Sequence, residues 1–353
     1  MKLIHCADFH LDAPLHTNLP PEAARQRRTE LMQTFGRMAE YAQTEGVAAV
    51  LIAGDLFDSS VPRREVVDYV TGTIEKYPEI QFYCLRGNHD AAVHFPTVPD
   101  NLHLFSGEWQ SYVCGEVTVY GAEGCRCAAD YDGLNPDASD CNIVLLHGQA
   151  ASAAGTDVVP LPLLRGRNID YLALGHIHSC QSGTLDTRGS WVCAGCPEGR
   201  GYDESGEKGF MLLEVYNHCI VSQFVPFASR TLHILEIDLT GADTLIRQSD
   251  RVTDAVATLP RKDMLDVVLT GDVPPGQTPD TAFLQQQLAG RFFMLRVTDR
   301  TRLAIDRALY RQEISLKGTF FRLAESAPDL SPEDLDYVLR AGFAALDGDP
   351  IPM

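Results

Sequence analysis

The chain has 353 residues and is strongly acidic, with 29 Lys and Arg against 48 Asp and Glu and a formal net charge of −19. This length is comfortable for two domains and lets the chain bury a sizeable core without disulfides. The negative charge argues against a simple electrostatic affinity for nucleic acid, which needs basic contacts that release counterions. No apolar stretch reaches the roughly 18 residues of a membrane span, so the sequence excludes a transmembrane class.

The start of the chain and its cysteines favour a cytoplasmic location. Asp8 and His10 interrupt the first apolar run, so we do not expect a signal peptide. Several of the ten cysteines fall inside predicted core strands, where small buried thiols are common. A reducing cytoplasm is therefore the expected compartment. The cysteine pairs at 125–127 and 193–196 lack the paired spacing of a zinc site, and we expect structural or incidental roles for them.

Short apolar runs predict buried strands in the first 180 residues, because runs of Val, Ile, Leu and aromatic residues closed by Gly or Asp are typical of strands. Five of these predicted strands are 3–7, 50–53, 82–85, 143–146 and 171–174. Helices are predicted over 22–45, where apolar residues recur at helical spacing, and over 62–77, which Pro62 opens. Further strands are predicted at 190–194, 210–216 and 220–226. The pattern predicts two packed sheets flanked by helices.

The remainder of the chain predicts a smaller second domain and a helical end. We expect three segments, 1–228, 229–300 and 301–353. The second has a β-α-β-α-β pattern that predicts a small α/β domain. The third has two predicted helices, over 301–316 and 331–346, and Ser331 followed by proline and two acids is a typical helix start.

Basic residues are concentrated near the C-terminal end of the second segment. Residues 291–322 contain eight basic and three acidic residues, a balance of +5 in an otherwise negative chain. One interpretation is a solvated helix face with internal ion pairs. The other is a wall that tracks phosphates beside an active site.

Polar side chains suited to metal binding follow the five predicted strands of the first segment directly. Because sites in layered α/β folds form at the carboxyl ends of strands, we expect these side chains to converge on one edge. The candidate ligands are Asp8, His10, Asp55, Asn88, His147, His176 and His178. Seven ligands are too many for one ion, so we predict two ions that share one carboxylate. Asp55, at the tight turn after Gly54, is the predicted bridge.

The ligand types indicate the metal and the chemistry. Mixed carboxylate, imidazole and amide ligands suit Mn²⁺, Fe²⁺ or Zn²⁺ better than Mg²⁺. Two such ions roughly 3.5–4 Å apart lower the pKa of a bridging water, whose hydroxide attacks phosphorus in line. His89 lies next to a predicted ligand and is the expected general acid for the leaving oxygen. Asp90 is expected to position the His89 imidazole by a hydrogen bond.

These clusters resemble the motifs of the calcineurin-like metallophosphoesterases. The family's D-x-H, G-D-x-x-D, G-N-H-D, lone His and G-H-x-H motifs all occur in order within about the first 180 residues. The resemblance implies a four-layer αββα sandwich and a division of ligands between two ions. One ion would take Asp8, His10, Asp55 and His178, and the other Asp55, Asn88, His147 and His176. His89 matches the family's non-ligand acid.

A narrower resemblance is to the DNA double-strand-break repair nuclease branch, the SbcD-like and YhaO-like exonucleases. It rests on residues 193–198, on the Lys-Gly-Phe motif at 208–210 and on the strand that follows. It implies a nuclease that degrades DNA from ends or cuts single strands near them, with 229–300 as a capping domain. It also implies a coiled-coil SMC-type ATPase partner that docks on the C-terminal helices. No role is assigned to 193–198, and the oligomeric state, a homodimer included, is left open.

A small-molecule or protein phosphoesterase is the alternative function. The negative net charge favours it, whereas the roughly 125 residues after 228 favour the nuclease.

Overall fold

The structure is a computed structural model that packs as two compact units. It describes residues 1–15, 19–125, 127–153, 155–274 and 276–348. The first unit comprises Met1–Leu235, Pro260–Asp266 and Gly290–Leu295. The second comprises Glu236–Leu259, Val267–Ala289 and Arg296–Met353. Among the described helices, none has both the length and the apolar composition needed to cross a membrane.

The described elements are nineteen strands, seven α-helices and two 3₁₀ helices. The strands are β1 Lys2–Cys6, β2 Val47–Ala53, β3 Gln81–Leu85, β4 Leu102–Leu104, β5 Gln110–Cys114, β6 Val117–Gly121, β7 Cys141–His147, β8 Gln149–Ala151, β9 Val158–Pro160, β10 Tyr171–Gly175, β11 Gln181–Thr184, β12 Ser190–Cys193, β13 Gly209–Tyr216, β14 Cys219–Pro226, β15 Leu232–Asp238, β16 Met264–Thr270, β17 Asp272–Val273, β18 Met294–Asp299 and β19 Arg302–Leu303. The α-helices are α1 Pro21–Thr44, α2 Arg64–Glu75, α3 Leu245–Ala255, α4 Thr281–Gln287, α5 Arg307–Gln312, α6 Leu316–Glu325 and α7 Pro332–Asp347, and the 3₁₀ helices are Ala128–Tyr131 and Leu161–Leu163.

The first unit contains two six-stranded sheets. The first sheet has the order β14-β13-β1-β2-β3-β4, in which β1 to β4 are parallel and β13 is antiparallel to β1. The second has the order β11-β12-β10-β7-β6-β5, in which β12, β10, β7 and β6 are parallel. The apolar runs predicted as strands form β1, β2, β3, β7 and β10, because strands buried on both faces need continuous apolar residues. The predicted α/β class with two sheets is confirmed.

Side chains that alternate along β1 show how the layers pack. Leu3 points into the apolar layer between the two sheets, where Leu51 of β2 and Ala173 of β10 also lie. Ile4 points to the opposite face and packs in the layer under α1 and α2, together with Phe35 and Val70. These helices are the ones predicted over 22–45 and 62–77.

The outer face of the second sheet has a different cover. Leu172 of β10 packs there with Tyr131 and Leu161, which belong to the two 3₁₀ helices, and with the adjoining Leu164. Within the described residues this fourth layer therefore consists of short 3₁₀ turns and loops. The four-layer order is preserved although one layer contains little regular helix.

A buried histidine joins the two sheets. His5 on β1 has no solvent exposure, and its Nδ1 lies 2.9 Å from the Tyr171 hydroxyl on β10. Its Nε2 lies 3.2 Å from the Leu174 carbonyl oxygen, which can only accept, so Nε2 carries the proton. Burial lowers the pKa of His5 to about 3.

We expect His5→Gln to weaken the acid sensitivity of folding. An unfolded histidine titrates near pH 6.5, so between that pH and about 3 the unfolded chain binds one more proton than the native state. Stability contributed by neutral His5 is therefore present above about pH 6.5 and is lost as the pH falls. Urea unfolding of the metal-free protein at pH 6 and pH 5 should show a loss larger by about 1 kcal/mol for wild type than for His5→Gln. The exposed His218 supplies the control, since His218→Gln should retain the wild-type slope; equal slopes in all three proteins would contradict the prediction.

The C-terminal segment contains a three-stranded sheet and three helices. The sheet has the order β15-β16-β18. Helices α5 to α7 pack around Phe321, Leu339 and Phe343. The helix predicted over 331–346 is α7, whereas the prediction of a single helix over 301–316 is wrong. Backbone pairing of β19 with β17 holds the start of that segment extended, and helix begins only at α5.

Several of the basic residues concentrated at 291–322 form ion pairs within the second unit. Arg302 lies 3.3 Å from the Asp272 carboxylate, and Arg311 lies 2.6 Å from that of Glu325. Lys317 pairs with a carboxylate of α7. This arrangement supports the solvated face with internal ion pairs.

Candidate metal centre

The polar clusters that follow five strands lie together where the two sheets meet. His147, at the end of β7, donates a hydrogen bond from Nδ1 to the Ala53 carbonyl at the end of β2, over 2.8 Å. The backbone N–H of His176, just after β10, donates to the carboxylate of Asp8, just after β1, over 2.9 Å. Each contact crosses from one sheet to the other. The predicted convergence of strand ends is therefore observed.

The backbone at this edge adopts an unusual conformation. Asp8, His10, Asp55 and His176 have positive φ angles of 53°, 46°, 50° and 90°. Such angles cost about 1–3 kcal/mol each for residues with a Cβ and persist where the surroundings enforce them. Backbone hydrogen bonds hold the turn after β1, since Asp8 N–H donates to Gly54 O over 3.1 Å and His10 N–H donates to Asp55 O over 3.0 Å. The turns therefore aim consecutive polar side chains into one space.

One glycine is required by close approach. A Cβ on Gly87 would collide with the carboxylate of Asp55. Glycine at this position lets the loop after β3, which contains Asn88 and His89, approach the carboxylate directly.

One group of candidate ligands brings two imidazoles together. The Nε2 atoms of His10 and His178 are 3.2 Å apart. The Nδ1 atoms face carboxylates, 3.1 Å from Asp58 for His10 and 2.6 Å from Glu204 for His178. Protons on Nδ1 satisfy those carboxylates and leave both Nε2 atoms as acceptors that face each other. Two such lone pairs repel unless a proton or a metal ion lies between them, so this group can hold a metal ion, with the Asp8 carboxylate also in reach.

The second group brings two imidazoles, an amide oxygen and a carboxylate together. His147 Nδ1 donates to Ala53, so Nε2 is the ring nitrogen that faces this group. Burial lowers the pKa of His147, but the hydrogen bond to Asp55 and the charge of Asp8 outweigh burial and raise the pKa to about 9, so without a metal ion Nε2–H donates to Asp55. This Nε2 lies 2.9 Å from Asn88 Oδ1 and 3.4 Å from Asp55 Oδ2. His176 Nδ1 is 3.2 Å from the same Asn88 oxygen. A metal ion that took the place of the His147 Nε2 proton would have this nitrogen and the Asn88 and Asp55 oxygens in reach, so these residues fit a second ion.

Asp55 lies between the two groups. Its Oδ2 is 3.4 Å from His147 Nε2 and 3.7 Å from His10 Nε2. Burial opposes its ionisation, but hydrogen bonding and charge from His147 outweigh burial and lower its pKa to about 2. Asp55 therefore has the negative charge and the central position expected of a ligand shared by two ions.

Asp8 is buried more deeply. Burial raises the pKa of its carboxyl to about 6, and the charges of His147 and His178 oppose the rise. A cation beside Asp8 would favour its charged form in the same way.

His89 and Asp90 occupy different environments. The His89 side chain is exposed, its backbone N–H donates to Asp55 over 2.9 Å, and its Nδ1 lies 3.2 Å from the Asp58 carbonyl. Asp90 is buried, and its carboxylate accepts from the backbone N–H groups of Gly87 (2.7 Å) and Phe57 (3.2 Å). This differs from the predicted pairing of Asp90 with the His89 ring. The carboxylate is turned inward because the two buried N–H groups need an acceptor, so Asp90 shapes the loop that presents His89.

A comparison with known families agrees with this site. Residues 1–180, just over half of the chain, match the calcineurin-like phosphoesterase family. The chain belongs to the calcineurin-like phosphoesterases. It is therefore a metal-dependent phosphoesterase, a hydrolase.

The chain of this phosphoesterase is similar to several proteins, two of which are named for DNA repair or for nuclease activity. The metallophosphoesterase YhaO of Bacillus subtilis (strain 168) is 27% identical over 303 residues, which cover 78% of this chain and 72% of that protein. The DNA double-strand break repair protein Mre11 of Haloferax volcanii is 26% identical over 268 residues, covering 72% of this chain and 58% of that protein. The SbcD component of the nuclease SbcCD from Staphylococcus epidermidis is 31% identical over 93 residues, which cover 26% of this chain and 23% of that protein.

Several residues around the centre of this phosphoesterase were not predicted from its sequence. Arg200 donates to both Asp58 and Glu204, the two carboxylates behind His10 and His178. Lys208 donates to the backbone carbonyl of His178 over 2.8 Å. The sequence signal for Arg200 and Glu204 is their position between residues 193–198 and the Lys-Gly-Phe motif at 208–210.

Proposed function

We propose that this phosphoesterase is a nuclease that hydrolyses phosphodiester bonds in DNA, as an exonuclease or by cutting strands near ends. The observation that supports a DNA substrate best is the length of the similarity. The matches to YhaO and to the Haloferax Mre11 extend over 303 and 268 residues, beyond the family match to residues 1–180. A phosphatase related through its catalytic domain alone would not be expected to resemble them over that length.

The proposed mechanism depends on two divalent ions, Mn²⁺ in our proposal, with Fe²⁺ and Zn²⁺ as alternatives. When bound, such ions would polarise the phosphodiester and activate the attacking water. Asp55 would be a ligand of both ions. The other proposed ligands are Asp8, His10 and His178 for one ion and Asn88, His147 and His176 for the other.

His89 is the proposed general acid. Its exposed imidazole can reach a substrate, and its backbone is tied to Asp55, which fixes its distance from the centre. Protonation of the leaving oxygen by a positioned imidazole avoids expulsion of a poorly stabilised alkoxide. Asp90 would act indirectly, since its carboxylate holds the loop on which His89 lies.

A phosphatase acting on small molecules or proteins is the second candidate. Two observations favour it: the net charge of −19, and the engagement of Arg302, Arg311 and Lys317 with acidic residues. Phosphate-backbone recognition needs basic side chains that are free to neutralise phosphates.

An assay with two substrates distinguishes these functions. We expect the purified protein with Mn²⁺ to degrade linear double-stranded DNA and to turn over p-nitrophenyl phosphate only weakly. DNA labelled at either end, and hairpin DNA, would give the cleavage polarity in the same experiment. Excess EDTA should abolish degradation, and added Mn²⁺ should restore it. Rapid monoester hydrolysis with intact DNA would establish the phosphatase instead.

Two further proposals concern the residues after 228. We propose that 229–300 is the capping domain and that helices α5 to α7 dock a coiled-coil SMC-type ATPase. Exposed apolar side chains support a docking role, since Ile314 is fully exposed and Leu316 and Leu323 are about two-thirds exposed.

A cytoplasmic location is also proposed. All ten cysteines are free thiols, which supports the reducing cytoplasm as the compartment.

A further inference from the structure

We propose that Arg200, Asp58 and Glu204 form a clamp that orients His10 and His178 toward one metal ion and so sets the affinity of that ion alone. These three residues are called the Arg200 clamp. The inference rests on the two-ion centre of the proposed function. It adds positioning residues behind one half of that centre.

The clamp is continuous through hydrogen bonds. Arg200 Nη1 donates to Asp58 Oδ1 over 3.0 Å, and its Nε and Nη2 donate to Glu204 Oε1 over 3.2 and 2.9 Å. The backbone N–H of Arg200 donates to the other Glu204 oxygen over 2.7 Å. Asp58 Oδ1 then lies 3.1 Å from His10 Nδ1, and Glu204 Oε1 lies 2.6 Å from His178 Nδ1. One guanidinium therefore positions two carboxylates, each of which faces an imidazole.

The chemical effect follows from the imidazole tautomer. A carboxylate accepts a hydrogen bond from Nδ1–H, which keeps the proton on Nδ1 and leaves Nε2 free as the ligand atom. It also raises the basicity of the ring, and carboxylates of this kind typically change metal affinity by about 10- to 100-fold. The positive charge of Arg200 offsets the repulsion between the Asp58 and Glu204 carboxylates, which both lie within hydrogen-bond distance of its guanidinium.

The other half of the centre is held differently among the described residues. His147 Nδ1 donates to a backbone carbonyl, Ala53 O, which carries no full charge. His176 Nδ1 faces Asn88, itself a proposed ligand. Among the described residues, carboxylates therefore face the Nδ1 atoms of His10 and His178 but not those of His147 and His176, where the charge of Asp157 acts on His176 only at longer range. That asymmetry makes the clamp testable, because its loss should affect one ion and spare the second.

Glu204→Gln tests the clamp by removing the charge behind His178 with little change in shape. We expect calorimetric titration with Mn²⁺ to give two ions for wild type, and for the variant one unchanged site and one weakened by about 10- to 100-fold. At a Mn²⁺ concentration between the two affinities, the electron paramagnetic resonance spectrum of a coupled Mn²⁺ pair should be replaced by that of an isolated ion. Asp58→Asn, which acts through His10, should weaken the same site.

Glu198→Gln is the matched control. Glu198 is also a buried carboxylate of this segment, but it accepts from Arg27 over 2.8 Å and from Thr34 over 2.7 Å, and within the described part of the chain it forms no hydrogen bond with a proposed ligand. It should lower the melting temperature and leave both Mn²⁺ sites intact. Equal weakening of both sites in Glu204→Gln, or weakening in Glu198→Gln as well, would reduce the clamp to a general structural role. Unchanged binding in Glu204→Gln would overturn the clamp, whereas a wild type that binds fewer than two Mn²⁺ would overturn the two-ion function itself.

Discussion

Asp55→Asn is expected to abolish hydrolysis and to prevent the binding of a pair of metal ions. Asp55 Oδ2 lies between the imidazoles of His10 and His147, at 3.7 and 3.4 Å. The substitution removes the one negative charge that both ions would share. Loss of a carboxylate that only supports a ligand costs about 10- to 100-fold in metal affinity or activity. Loss of a shared ligand should therefore exceed roughly 100-fold.

The measurement is Mn²⁺ titration together with DNA degradation at saturating Mn²⁺. Asn preserves the size of the side chain and its ability to accept the His89 N–H, so loop collapse is not expected to account for the loss. Asp170→Asn provides the comparison. Asp170 precedes β10 at the end remote from His176 and pairs with Arg188 over 2.9 Å. That variant should bind two Mn²⁺ and cut DNA at the wild-type rate; two ions bound with normal affinity by Asp55→Asn would refute the bridging assignment.

The proposed ligands could be predicted because each depends on a local signal. A short apolar run marks a buried strand, and the residue after it lies at the carboxyl end. Parallel neighbours bring these ends together, so Asp8, Asp55 and Asn88 converge without knowledge of the loops between them. The cross-sheet contact of His147 with Ala53 shows the second sheet joining the same edge. Positions fixed by strand topology were therefore accessible from sequence.

The surrounding contacts could not be predicted because they depend on tertiary packing of irregular segments. Arg200 reaches Asp58 across 142 positions of sequence, and no periodicity encodes such a pairing. The predicted Asp90–His89 pair failed for a related reason. Sequence proximity suggested contact between neighbours, whereas the buried N–H groups of Gly87 and Phe57 take the carboxylate.

The C-terminal helices show the same limit. Residues 301–316 have helical composition, and yet Arg302 and Leu303 pair with the backbone of β17. Tertiary pairing overrides propensity there, because intrinsic preferences amount to less than about 1 kcal/mol per residue for ordinary residues.

His89→Ser is expected to separate leaving-group protonation from metal binding. The variant should retain both Mn²⁺ ions, because the His89 side chain contacts the Asp58 carbonyl and its tie to Asp55 is made by the backbone. Hydrolysis of DNA should fall by roughly 10²- to 10⁴-fold, the usual contribution of a general acid. Hydrolysis of bis(p-nitrophenyl) phosphate should fall far less, because nitrophenolate leaves readily without a proton.

The comparison of two substrates makes this result specific to proton transfer. A variant that had lost an ion or distorted the centre would be slow on both diesters, since both need the same attack on phosphorus. His218→Ser, in the turn between β13 and β14, should leave both rates unchanged and controls for loss of an exposed imidazole. Parallel losses on DNA and on the nitrophenyl diester, with both ions still bound, would assign His89 to substrate positioning. Loss of Mn²⁺ would instead make it a ligand, and the leaving-group proton would then have to come from another group at the centre.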